Sequence, residues 1–364
     1  MDYSYTQVDR MGSRLIPVKM RQIIAKKLGS NFRDVTEIVE TAVPSPGPNE
    51  ILVKNRFLGI NASDINYTSG RYDPTRKPPF PVGFEAIGEV VTAGPEAKTK
   101  VGQNVVYSKF GCFKDYEVVD DKSVMPIPTS DPAYLTFMVS GLTASIALEK
   151  NGDLLPGKTV LVTAAAGGTG QFAVQIAKQA GCHVIGTCSN DDKAQFLKSI
   201  GCDRTVNYKK ENLTDVLSKE YPKGVDVVYE SVGNEMLDAA VKNLAIFGRI
   251  IVIGSISNYE GAKSEDFSTM EHSSKVNIPL SLLAKSGSLI GFFLPHGRKE
   301  SSRHLQLLTS QYLQGKLKVF TDKGVGVPTG PFIGLDKVVD AVEYMYSRGN
   351  VGKVVVELNE KSAL

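Results

Sequence analysis

The sequence predicts an α/β protein whose largest unit is a doubly wound parallel sheet, preceded by an antiparallel β-domain. Three observations carry that expectation. The charge-free run Thr159-Val160-Leu161-Val162-Thr163 is followed by a glycine-rich turn and an alanine-rich helical stretch to Lys178. A second β-type run, residues 183–188, comes directly after it. Beyond Lys193, helical and β-type segments alternate as far as Gly254, the rhythm of a parallel sheet covered by helices on both faces.

The turn reads Ala164-Ala165-Ala166-Gly167-Gly168-Thr169-Gly170, that is, Ala165-x-Gly167-x-x-Gly170. Strand, glycine turn, helix and strand in that order form the first βαβ unit of a dinucleotide-binding sheet. Gly167, without a Cβ, lets a pyrophosphate approach the backbone, and Gly170 lets helix and strand pack closely. The helix N-terminus then offers unpaired N–H groups to the phosphates. Glycine triplets also occur in plain turns, so the flanking elements carry the meaning.

An NAD site places an acidic residue about 20 residues after the glycines, for the ribose 2′-hydroxyl. Nineteen residues after Gly170 this chain has Ser189, with Lys193 close by and Tyr208 following the next β-type run. Asp191 and Asp192 fall in the first turn of the next helix, where they suit its dipole. A hydroxyl, an ammonium and a phenol suit a 2′-phosphate, so the expected cofactor is NADPH. The bland alternative makes Lys193 a solvated helix residue.

Taken in order, residues 1–20 are polar and mixed in charge and read as a loosely held extension. Between Arg21 and Pro128, β-type runs at residues 20–25, 50–59, 86–92, 104–108 and 113–119 are separated by Gly and Pro clusters. They imply a compact antiparallel β-domain. Residues 132–149 read as helix. Residues 255–278 are polar and aperiodic, and a loop of that length in a compact domain is functional or disordered. Residues 288–294 make one more strand, at the sheet edge. Amphipathic stretches at 304–313 and 335–347 lead to the final strand, 353–358.

Composition narrows the function classes. A chain of 364 residues holds about two domains. Its net charge of +3 shows no basic stripe with interleaved aromatics, which excludes a nucleic-acid partner as the expectation. Cys112, Cys182, Cys188 and Cys202 form neither a disulfide framework nor a metal knuckle, and point to a reducing compartment. No apolar run reaches the roughly 18 residues of a membrane span, and no signal-peptide core is seen.

Asn61-Ala62-Ser63-Asp64-Ile65-Asn66-Tyr67, Gly70-Arg71-Tyr72-Asp73-Pro74, Gly83-Phe84-Glu85-Ala86-Ile87-Gly88 and the glycine turn resemble the medium-chain dehydrogenase/reductase superfamily, in its quinone-reductase branch. The resemblance covers residues 20–364. It implies a GroES-like catalytic domain, residues 21–145 and 319–364, interrupted by a Rossmann domain, residues 146–318. Zinc members place a cysteine where this chain has Asn61, a His-Glu pair at Phe84-Glu85, and a cysteine near Val139. The four-cysteine lobe of those members is absent between Gly88 and Gly102. A catalytic zinc takes about three N, S or O ligands, so no metal is expected, nor alcohol dehydrogenation.

The activity the resemblance implies is NADPH-dependent reduction of the C=C bond of an α,β-unsaturated ketone, in lipid metabolism a 15-oxoprostaglandin or a similar enone. Quinone reduction and non-enzymatic NADPH binding are the alternatives. By position in the resemblance, Tyr72 is the proton donor, Tyr67 and Asn61 are secondary candidates, and Tyr259 lies beside cofactor and substrate. Tyr67 and Tyr72 read equally as packing residues, and Tyr259 as a loop anchor. The implied cofactor contacts are Ala165, Gly167, Gly168, Thr169 and Gly170 at the pyrophosphate and Ser189, Lys193 and Tyr208 at the 2′-phosphate. Ser231 and Ile253 end sheet strands, and Phe292, Phe293, Leu294 and Asn350 line the nicotinamide end; Asn350 reads also as a plain turn residue. A homodimer through residues 288–294 is a further implication. The tail Ser362-Ala363-Leu364 lies close to the S-K-L peroxisomal signal but lacks its basic residue, leaving peroxisome and cytoplasm open.

Overall fold

Short runs of β-branched residues between Gly and Pro breaks build the first half of the chain. The computed structural model describes residues 5–8, 15–259 and 274–358. Lys19–Ala25 pairs antiparallel with Thr36–Ala42, and Glu50–Gly59 pairs antiparallel with Glu85–Ala93, which continues to Asn104–Ser108. The last strand, Lys353–Glu357, returns to pair antiparallel with Glu50–Gly59, so the end of the chain closes the domain that its beginning opened. Ile51, Val53, Leu58, Val90, Val105 and Phe113 fill the core of this unit.

Between the two halves, six strands form one parallel sheet. Their spatial order is Arg204–Asn207, His183–Cys188, Thr159–Val162, Val225–Glu230, Leu244–Val252 and Ser288–Gly291. The chain steps outward from Thr159–Val162 in both directions, the doubly wound arrangement. Its central strands are buried on both faces, which is why Thr159–Val162 is free of charge and Val225–Glu230 is rich in Val.

The structure departs from the sequence expectations at several elements. The supposedly loose extension contains an antiparallel pair, Tyr5–Val8 with Leu15–Pro17. Thr36–Ala42 is a strand on which Glu37 and Glu40, on opposite faces, are both exposed, charges that mask its β-type run. Residues 132–149 are not one helix: a 3-10 turn at Pro132–Tyr134 and a π-helical turn at Phe137–Gly141 precede the α-helix Leu142–Asn151. The π turn sits where the Val139 N–H donates to the Glu85 carboxylate at 3.0 Å instead of to its own helix. Ile278–Lys285 is a helix, capped by the Asn277 side chain with Pro279 in its first turn. Residues 260–273 of the expected long loop and the Ser362-Ala363-Leu364 tail lie outside the described residues. Among the described residues, no helix is long and apolar enough to cross a membrane.

A ladder of glutamines holds the chain where it leaves the parallel sheet for the β-domain. Gln171, Gln175 and Gln179 stand four residues apart on the helix Gly170–Gln179. Gln175 donates to the Lys318 carbonyl at 2.8 Å and accepts from the Lys318 N–H at 2.8 Å. Gln171 does the same with Phe320 at 3.0 and 2.8 Å, and Gln179 donates to the Lys316 carbonyl at 2.9 Å. Helix side chains thus satisfy an extended segment as a neighbouring strand would. Replacing Gln175 by alanine strands two backbone groups and is expected to cost about 2 kcal/mol, against less than about 1 kcal/mol for the exposed Gln179. Urea unfolding midpoints at unchanged slope measure both, and equal losses would contradict the ladder's role.

Candidate active site

Each parallel strand stops just before a residue expected in the site. Val162 precedes Thr163 and the glycine turn, Cys188 precedes Ser189, Glu230 precedes Ser231, Val252 precedes Ile253, and Gly291 precedes Phe292. Parallel pairing lines these carboxyl ends along one edge, the place where open α/β sheets bind ligands. In the turn, a Cβ on Gly170 would lie 2.5 Å from the Ala164 carbonyl, so only glycine fits. Thr169 shares a 2.5 Å hydrogen bond with the buried Tyr229 hydroxyl beneath the turn. The Gly352 N–H donates to the Ala166 carbonyl at 2.8 Å, tying the turn to the final strand.

The residues expected at the 2′-phosphate come together. Ser189 and Lys193 are both buried, and both donate to the Arg348 carbonyl, at 3.4 and 2.9 Å. The Tyr208 N–H donates to the Cys188 carbonyl at 3.1 Å, which places Tyr208 beside Ser189. Burial lowers the Lys193 pKa. An ammonium withdrawn from water onto a neutral carbonyl is costly for the folded chain and well suited to a phosphate. The residue set therefore fits a 2′-phosphorylated dinucleotide. Arg348 escaped the sequence reading; its φ of +61° turns its carbonyl toward this pair, and the only local signal was an Arg-Gly turn.

In the β-domain, the helix Ser63–Thr68 begins just after Asn61. The Asn61 amide donates to Glu85 Oε1 at 2.9 Å and to the Gly59 carbonyl at 3.2 Å, while its Oδ1 accepts from Lys353 at 2.5 Å. Both amide hydrogens are thereby committed inside the protein. Tyr67 is buried, stacked on Phe110 at 4.9 Å and edge-on to Phe84 at 5.5 Å, and its hydroxyl has no hydrogen-bond partner among the described residues. Tyr72 is half-buried, with its ring 6.3 Å from Phe84 and 5.3 Å from Phe293, and its hydroxyl 3.5 Å from Asn66 Nδ2. Arg71 donates to Asn66 Oδ1 at 2.8 Å and to the Tyr259 carbonyl at 3.2 Å. The Tyr259 hydroxyl accepts from the Ser255 N–H at 2.8 Å. Burial raises the pKa of both Tyr72 and Tyr259, keeping the phenols protonated.

Phe84 thus joins Tyr67 to Tyr72, Tyr72 reaches Phe293, and Asn66 with Arg71 ties this group to the Tyr259 backbone. Phe292 is half-buried and its N–H donates to the Val252 carbonyl, while Leu294 opens the 3-10 turn Leu294–Glu300. The Asn350 side chain donates to the Gly352 carbonyl at 2.8 Å and holds the turn before the last strand. The positions that carry zinc ligands in zinc members hold an amide at Asn61, a ring at Phe84 and an apolar side chain at Val139. Their one carboxylate, Glu85, is taken by Lys353 at 2.5 Å. That donor set does not fit zinc. Among the described residues, no group of three or more His, Cys, Asp or Glu is placed to hold a metal ion.

The zinc-binding dehydrogenase family matches residues 168–310, and the alcohol dehydrogenase GroES-like domain matches residues 47–129. The chain is 51% identical to prostaglandin reductase-3 of Mus musculus over 361 residues, 98% of this chain and 94% of that protein. It is 43% identical to a probable quinone oxidoreductase of Leishmania amazonensis over 345 residues, 94% of this chain and 99% of that one. Its fold matches that of Escherichia coli quinone oxidoreductase complexed with NADPH with a TM-score of 0.76 and 27% identity, covering 93% of this chain and 99% of that one.

Two outcomes follow from the site's electrostatics. Lys193→Ala is expected to weaken NADPH binding about tenfold or more, roughly 1.4 kcal/mol, with NADH binding nearly unchanged, in fluorescence titrations. Burial pushes the Asp64 carboxyl up to about 8. The folded chain then keeps a proton that the unfolded chain loses near pH 4, so this stabilisation is full in acid and fades as pH rises towards 8. Thermal midpoints of wild type should therefore fall relative to Asp64→Asn over that window, and parallel curves would contradict the burial effect.

Proposed function

The chain belongs to the medium-chain dehydrogenase/reductase superfamily, in its quinone oxidoreductase branch, and we propose that it is a zinc-independent, NADPH-dependent reductase of the C=C bond of α,β-unsaturated ketones. Its substrates on this reading are 15-oxoprostaglandins and similar lipid enones. The observation that carries it is Tyr72, a phenol kept protonated by burial in an aromatic pocket and touching Phe293 at the end of the parallel sheet. The 51% identity to a prostaglandin reductase-3 and the likeness to a quinone oxidoreductase that binds NADPH support it.

NADPH, when bound, supplies a hydride to the enone β-carbon, leaving the charge on the carbonyl oxygen. The chain does the rest. Ser189, Lys193 and Tyr208 hold the 2′-phosphate, and Ala165, Gly167, Gly168, Thr169 and Gly170 receive the pyrophosphate at the helix N-terminus. Ser231, Ile253, Phe292, Leu294 and Asn350 border the nicotinamide end. The rings of Tyr67, Phe84, Phe110 and Phe293 pack into an apolar wall, of which Phe110 and Phe293 keep exposed edges, so dipoles beside it act at a lowered dielectric. The Tyr67 hydroxyl, buried and without a partner among the described residues, is the secondary candidate for a donor to the developing oxyanion. Tyr72 passes its proton to the α-carbon and recovers one from solvent. Tyr259 fixes the loop beside them through Ser255 and Arg71.

A quinone carries the same C=C–C=O unit, and the 43% identical relative named a probable quinone oxidoreductase supports quinone reduction as the second reading. A homodimer through the edge strand Ser288–Gly291 is supported by the exposed Phe247, Leu280 and Leu283 nearby. The deciding assay follows NADPH absorbance with a 15-oxoprostaglandin, a simple quinone and, in parallel, NADH. Enone-dependent oxidation of NADPH is expected, slow with NADH, with kcat lowered about 100-fold or more in Tyr72→Phe. Turnover of the quinone alone would move the assignment to the second reading, and tight NADPH binding without turnover of either acceptor would overturn both.

A further inference from the structure

Lys353 is a charge in a strand whose next three residues, Val354, Val355 and Val356, are buried and apolar. It is itself only 2% exposed. Its ammonium lies 2.5 Å from Asn61 Oδ1 and 2.5 Å from Glu85 Oε1. Glu85, fully buried, also accepts from Asn61 Nδ2 at 2.9 Å and from the Val139 N–H at 3.0 Å. Ammonium, amide and carboxylate therefore close a ring of hydrogen bonds.

The same residue is attached to the dinucleotide side. The preceding Gly352 donates to the Ala166 carbonyl at 2.8 Å and bridges to Gly167. The Lys353 stem passes 3.3 Å from where a Cβ on Gly168 would stand. Asn61, at the other end, starts the helix that leads to Tyr67 and Tyr72: the Asp64 N–H donates to its carbonyl at 3.0 Å and its own N–H donates to Asp64 Oδ2 at 2.8 Å. One side chain thus runs from the phosphate turn to the head of the segment carrying the phenols.

A buried ion pair is a poor device for stability, because desolvating both ions offsets their attraction; what it can supply is one fixed geometry. We propose that Lys353 is a positioning residue for hydride transfer, setting the distance between the dinucleotide turn and Tyr67 and Tyr72 through Asn61 and Glu85. The inference rests on the reductase reading above.

The test compares wild type, Lys353→Met, Glu85→Gln and the charge-neutral double variant Lys353→Met/Glu85→Gln. Each is assayed with a 15-oxoprostaglandin and with NADPH or NADPH deuterated at the transferred C4 position. Lys353→Met is expected to lower kcat about 100-fold, to change the NADPH Kd by less than about threefold, and to enlarge the isotope effect on kcat as hydride transfer becomes the slow step. The double variant relieves the stranded carboxylate and should recover the thermal midpoint without recovering kcat. Recovery of kcat together with the midpoint would overturn the proposal, since Lys353 would then only balance Glu85. An unchanged kcat and isotope effect in folded Lys353→Met would overturn it too; if that variant does not fold, the double variant decides. Failure of wild type to oxidise NADPH would overturn the reductase reading itself, and this inference with it.

Discussion

The rest of the structure depends on one close approach, that of Gly170 to the end of the strand Thr159–Val162. A side chain there would meet the carbonyls of Ala164 and Ala165 at 2.5 and 2.6 Å. Because none is present, the helix Gly170–Gln179 starts hard against the strand end, and its unpaired N–H groups open onto the carboxyl edge of the sheet. That helix is also the rail on which Gln171, Gln175 and Gln179 seat the returning chain at Lys316 to Phe320. The returning chain then fixes Gly352 on Ala166. Three distant segments are thereby registered on one turn.

Two buried lysines show how differently one chain can use a withdrawn charge. Lys353 meets a carboxylate and an amide in a closed network. Lys193 meets a neutral carbonyl and carries a pKa lowered by burial. The first is satisfied within the protein. The second is left on a neutral partner, an electrostatic cost that the proposed 2′-phosphate contact would offset. The aromatic cluster of Tyr67, Tyr72, Phe84 and Phe293 is a separate, apolar environment, one in which a single phenol or dipole acts strongly on a developing oxyanion.

Much of this was legible in the sequence because the signals are local. The parallel sheet, its edge strand at Ser288–Gly291 and the glycine turn are written in runs of a few residues, and so is the absence of an acid at Ser189. The return of the last strand to Glu50–Gly59 followed from the family resemblance and not from local pattern. What could not be read is long-range or disguised. Asn61 and Lys353 are 292 positions apart, and nothing near either announces the other. Asn61 therefore reads from sequence as a donor to substrate, whereas its amide hydrogens are spent on Gly59 and Glu85. The π turn at Phe137–Gly141 is equally hidden, since it depends on a carboxylate from a distant strand. Thr36–Ala42 was obscured by its own exposed glutamates.

The central claim is that this site delivers a hydride to the β-carbon of an enone and a proton to its α-carbon. Isotope tracing tests it most directly. With NADPH deuterated at the transferred position in ordinary water, and then with unlabelled NADPH in deuterium oxide, the product is analysed by NMR. The account predicts cofactor deuterium at the β-carbon alone and solvent deuterium at the α-carbon. Cofactor deuterium on the carbonyl carbon, giving an allylic alcohol, would contradict it.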